Sequence, residues 1–280
     1  MMAAGTVSGA LSVRLARFCL ILGLLAPLSP GRGETINWLT SDPAYPGSKE
    51  TMSSGQLAFL TTHLPHFSHH IEKVSAARAV HELQHGAGVC TTDIVVTPER
   101  EKFLVFASRH MGLPGFRLLI RKDRMGTLAP AINGRGDVDL AKMKDITGLV
   151  GGYTNSRHYG PAISDFIQQH GPEGLDGEVA TFQIFNLLQA GRIDFAFVMP
   201  MDFYFYLPEE QRQDTVLLPV IGETPAIDVA VACSADPAGR ALIRDIDSLL
   251  ANEARWADYV EPLRKWTSPE DFEILRAGGH

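Results

Sequence analysis

The sequence has no surplus of basic residues: 25 Lys and Arg stand against 32 Asp and Glu in 280 residues. Without a basic stripe there is nothing to release the counterions of a polyphosphate, which argues against nucleic acid as a partner. Cysteine is scarce, with Cys19, Cys90 and Cys233 only, too few for a disulfide framework. Long apolar runs are missing as well. Phe18 to Ala26 is the most apolar stretch, and it is shorter than the roughly 20 residues a membrane-spanning helix takes. Low-complexity linkers, charge blocks and internal repeats are also absent, so any lobes within the chain are joined by short connections.

What is present begins with Arg14 and Arg17, the apolar run, and then Pro27, Pro30, Gly31 and Gly33. This is the outline of a secretory signal peptide over residues 1–33. Its removal takes away three arginines and leaves 22 basic against 32 acidic residues, a formal charge of −10. The remainder is long enough for two cores at about 100–150 residues each. Cys90 and Cys233 both fall in strand-like segments. Strands in one lobe would permit a disulfide between them without requiring it; otherwise they are ordinary buried thiols.

Apolar strands then alternate with amphipathic segments. The pattern predicts strands at Thr35 to Thr40, Asp93 to Val96 and Lys102 to Ala107, with helices over Gln56 to His63 and His69 to His85. A second set follows: strands at Gly115 to Lys122, Gly148 to Tyr153 and Ile193 to Met199, with helices at His158 to His170 and Glu178 to Ala190. A strand at Ile227 to Cys233 and a helix at Gly239 to Leu250 come next, and closing helices span Trp256 to Trp266 and Pro269 to Ala277. This rhythm predicts an α/β chain of two lobes. The expected division is 34–112 for the first part of lobe I, 113–217 for lobe II and 218–280 for the return to lobe I. A hinge and a cleft between the lobes follow from that division.

Thr91 to Ala107, TTDIVVTPEREKFLVFA, places one arginine just past an apolar strand. Thr97-Pro98 breaks the strand, and Arg100 sits in the corner, where a guanidinium can fork onto a carboxylate. Glu99 to Lys102 also fit a solvated charged turn. His81-Glu82-Leu83-Gln84-His85 matches H-E-x-x-H, which on a helix points two imidazoles and a general base at a zinc ion. Gly86 and Gly88 end that helix at once, and no third ligand follows at a zinc enzyme's spacing. The same stretch also reads as an amphipathic helix with Val74, Ala77, Val80 and Leu83 as its stripe.

Three blocks, residues 91–107, TGLVGGYTNS at 147–156 and LLQAGRIDFAFV at 187–198, together resemble the periplasmic solute-binding proteins of family 3, the polar-amino-acid type. The resemblance implies the type II two-lobed binding-protein fold, with a hinge and an interlobe ligand cleft. It implies that Arg100 grips a ligand carboxylate, that Asn155, Ser156 and Arg157 contribute from lobe II, and that Asp42 and Tyr45 line lobe I. Amino-acid binders carry an aspartate for the ligand ammonium where this chain has Met199. Asp202 is then the substitute, or the ligand has no ammonium.

The implied protein is a periplasmic, monomeric, non-enzymatic binder of a small carboxylate-bearing ligand, without metal or cofactor. It would serve an inner-membrane ABC permease or a sensor. Two alternatives stand beside it: a zinc peptidase using His81, Glu82 and His85, and a lyase built on the same fold.

Overall fold

A computed structural model describes residues 34–40, 51–155, 157, 159–171, 173–175 and 180–278. The expected signal peptide, Asp42, Tyr45 and Ser156 lie outside the described residues. The strands are β1 (Thr35–Thr40), β2 (Ser68–Lys73), β3 (Val89–Val95), β4 (Leu104–Phe106), β5 (Met111–Pro114), β6 (Arg117–Arg121), β7 (Gly151–Thr154), β8 (Glu173–Leu175), β9 (Phe195–Val198), β10 (Thr215–Leu218) and β11 (Ala226–Ser234). The helices are α1 (Ser54–His63), α2 (Ala76–His85), α3 (Met125–Leu128), α4 (Leu140–Met143), α5 (Pro161–His170), α6 (Ala180–Gln189), α7 (Pro200–Tyr206), α8 (Glu209–Arg212), α9 (Pro237–Leu250), α10 (Glu253–Val260) and α11 (Pro269–Ala277).

The strands form two sheets. The first runs β2-β1-β3-β11-β4, with β5 also on β11; the second runs β10-β6-β9-β7-β8. In the first, β1 is parallel to β2 and β3, and β11 is antiparallel to β3, β4 and β5. In the second, β7 is parallel to β8 and β9, whereas β6 is antiparallel to β9 and β10. Strand alternation supplies a core on each face of the second sheet: Leu118, Ile120, Phe195 and Phe197 on one, Leu119, Ala196 and Val198 on the other. The first sheet buries Ile36 and Trp38 against Leu57, Leu60, Leu242, Ile246 and Trp256.

One expectation is corrected. His69 to Lys73 is strand, not helix, because Ser68–Lys73 pairs in parallel register along all of β1. The helix starts later, where Ser75 caps α2 by accepting from the Arg78 N–H.

Cys90 and Cys233 are bonded. They are opposite one another in the antiparallel β3–β11 register, so the two strands do share one sheet. Replacing both with serine is expected to lower stability by about 2–4 kcal/mol, read as a lower urea midpoint. An unchanged midpoint would mean that the bond does not form.

The chain passes between the sheets twice, at 115–116 and at 219–225. The passages touch: the Gly115 N–H donates to the Pro225 carbonyl at 3.0 Å, and a Cβ on Gly115 would lie 1.9 Å from the Thr224 oxygen. Only glycine allows that approach. Glu223, on the second passage, accepts from the Ile163 N–H at 2.8 Å and so caps α5. Burial pushes its carboxyl up, against the pull of the Ile163, Ala162 and Gly160 N–H groups. With the folded value above the unfolded one, the contribution of Glu223 to stability is present at low pH and lost as pH rises through the folded value. Glu223→Gln is therefore expected to melt above the parent at neutral pH, the gap closing toward the ordinary glutamate range of about 4.3. A gap independent of pH would show that the carboxyl does not titrate there.

Candidate ligand-binding site

In open α/β sheets, ligands bind beyond the carboxyl ends of the parallel strands. Arg100 lies past the end of β3, in a 3₁₀ turn over Arg100–Lys102. The corner is held by the Arg100 N–H donating to the Thr97 carbonyl at 3.0 Å. Glu99, Glu101 and Lys102 are exposed as a solvated turn requires, but Arg100 is half-buried. Its Nη1 turns back to donate to the Val95 carbonyl at 2.8 Å. Among the described residues it has no ion pair, and burial pulls its pKa down. By contrast Arg117 holds Asp271, Arg124 holds Asp194 and Arg157 holds Asp202.

Upstream of the corner, the β3–β11 register slips between Ala230 and Ala232, leaving an extra residue in β3 beside Asp93. Bulges of this kind re-aim side chains near sites. Asp93 sits there half-buried, within 3.3 Å of the Thr92 hydroxyl. The sequence reading treated Asp93 only as the start of a strand. Buried Tyr259 also lies near it, its phenol pushed up by burial and by the Asp93 charge.

In the second lobe, Arg157 follows β7, Thr181 opens α6 after β8, and Met199 follows β9. All three stand at the carboxyl ends of parallel strands. Arg157 Nη2 is 3.0 Å from Asp202 Oδ2 and 3.1 Å from Oδ1. Nη2 also reaches the Thr181 hydroxyl and Nη1 reaches the Met199 sulfur, both at 3.3 Å. Burial is the largest influence and opposes the charge on Arg157, but Asp202 together with Tyr159 and Tyr206 outweighs it and the guanidinium pKa is raised. Asp202 is 2% exposed. It is therefore not open to a ligand ammonium as expected; its carboxylate is turned onto Arg157. Asn155 extends the strand edge, its N–H donating to the Leu175 carbonyl, with its side chain over Gly174.

The H-E-x-x-H residues do not assemble a metal centre among the described residues. Glu82 pairs with Arg78 at 2.5 Å. His85 Nδ1 bonds the His81 carbonyl, and the two rings stack at 4.5 Å on an exposed face. No group of three His, Cys, Asp or Glu among the described residues could hold an ion.

Many solved structures share this fold. The fold is that of the two-lobed solute-binding proteins. No family model and no curated protein matches the chain. An ancestral cationic amino acid solute-binding protein superposes with a TM-score of 0.62 at 14% identity, over 84% of this chain and 96% of that one. The AbpA amino acid ABC transporter substrate-binding protein of Streptococcus pneumoniae, bound to L-arginine, gives 0.58 at 12% identity over 87% and 95%. A histidine kinase sensor domain similar to periplasmic binding proteins gives 0.52 at 14% over 88% and 95%. At these identities the likeness establishes the binding-protein fold.

Proposed function

We propose that this protein is an extracytoplasmic solute-binding protein that captures a small carboxylate-bearing ligand between its lobes. The observation that carries this reading is Arg100. It is a half-buried guanidinium with no carboxylate partner among the described residues, at the carboxyl end of a parallel strand. A charge kept in that state is unfavourable unless something anionic arrives to meet it. The ligand carboxylate takes that place, and Arg157, Thr181 and Met199 meet the ligand from the second sheet. The bonded Cys90–Cys233 pair suits an oxidising compartment. No helix among the described residues is long and apolar enough to cross a membrane. Delivery would be to an inner-membrane ABC permease by a monomeric binder, with no cofactor.

The test is native mass spectrometry of protein purified from a bacterial periplasm without metal-affinity steps. A bound organic acid that is lost in Arg100→Ala supports the reading. Stoichiometric zinc lost in His81→Ala would replace it with the peptidase alternative.

A further inference from the structure

Resting on the carboxylate-binding reading above, we infer that the ligand carries two acidic groups and no ammonium, the second acid being received by Arg157. Asp202 sits at the hidden end of the ion pair, 2% exposed, while the Arg157 side chain is 25% exposed. The pair is therefore an oriented dipole. Its negative end is buried in α7 and its positive end lies at the carboxyl ends of β7 and β9.

The donors of Arg157 are only partly used. Both short contacts to the carboxylate come from Nη2 alone, at 3.0 and 3.1 Å. Among the described residues Nη1 has only the thioether of Met199 at 3.3 Å, and a thioether is a weak acceptor. Nε has no partner among the described residues. A guanidinium offers five N–H donors in a rigid fork, so Arg157 keeps capacity for a further carboxylate while Asp202 fixes its position. Seen from a ligand, the first lobe presents Arg100, with Asp93 on the strand leading to it, and the second lobe presents Arg157. The second-lobe carboxylate that an ammonium would need, Asp202, is already covered by Arg157, and Asp93 in the first lobe accepts from the Thr91 and Thr92 hydroxyls.

Titration calorimetry with three five-carbon acids separates the terms: glutarate has two carboxylates, glutamate adds an ammonium, and pentanoate removes one carboxylate. Dicarboxylates of four to seven carbons are run beside glutarate to allow for reach. A dicarboxylate is expected to bind at least tenfold more tightly than either comparison acid, with the preference over pentanoate lost in the double variant Arg157→Met/Asp202→Asn. The double variant is used because Arg157→Met alone leaves a buried carboxylate unpaired and invites unfolding. Circular dichroism of the double variant confirms that it is folded. If glutamate or pentanoate binds as well as every dicarboxylate, and does so through Arg100, the inference is overturned while the binding-protein reading stands. If no acid binds, both fall.

Discussion

Arg100→Ala is expected to abolish ligand-induced thermal stabilisation while leaving the unliganded protein folded. A forked guanidinium–carboxylate contact comprises two charge-assisted hydrogen bonds, each worth about 1.5–3 kcal/mol. Their loss weakens binding by about 10²–10⁴-fold at 1.4 kcal/mol per decade. Ligand at a thousand times the parent Kd stabilises the parent by about 4 kcal/mol and the variant by about 1.4 kcal/mol or less. Without ligand, the substitution removes one hydrogen bond, to the Val95 carbonyl, and a guanidinium that burial disfavours. These effects oppose each other, so the unliganded melting temperature should be unchanged or slightly higher. That combination, weaker binding without weaker folding, is expected of a residue kept for function at the expense of stability. A drop of several degrees without ligand, with the ligand response intact, would make Arg100 a structural residue.

The second large effect lies where the chain enters the second sheet, with Arg117 opposite Val198 at the carboxyl end of β9. Arg117 opens β6 and meets Asp271 of α11 with Nη2–Oδ1 at 2.5 Å and Nη1–Oδ2 at 3.2 Å. The contact ties the start of the second sheet to a helix whose Phe272 and Leu275 belong to the first lobe's core. Asp271 is 1% exposed. Arg117→Met therefore strands a charge in the interior, at about 3–5 kcal/mol. For a domain of this size that is a fall in Tm on the order of 10 °C. Arg117→Met/Asp271→Leu removes both charges and is expected to regain most of the loss, since the pair itself adds little net stability over apolar packing. A double variant as unstable as the single one would show that packing around the guanidinium, rather than the stranded carboxylate, carries the effect.

The two-lobed α/β rhythm was legible because most strands and helices bury one face and write that face as a period of two or three to four residues. β2 was not legible. Its SHHIEK sequence has no apolar alternation, and Ile71 is 51% exposed on this edge strand; pairing with β1 alone makes it a strand. α7 went unread for the opposite reason. Its run PMDFYFY is buried on nearly every side, so no polar face marks it as a helix. The packing of Phe205 on Trp266 at 4.8 Å shows what covers it.

The Arg100 corner was readable because proline, charge and apolar strand lie side by side in sequence. The second-lobe arrangement was not. Arg157 and Asp202 are 45 residues apart, and nothing local tells a buried partner from a ligand contact. Their pairing depends on β7 and β9 being neighbours in one sheet.

The bond between Cys90 and Cys233, 143 residues apart, encircles every strand of the second sheet, since β6 to β10 all fall between the two cysteines. Any single proteolytic cut in that stretch opens a covalent ring rather than severing a chain. A nicked molecule would keep both halves in one piece on a denaturing gel and come apart only after reduction.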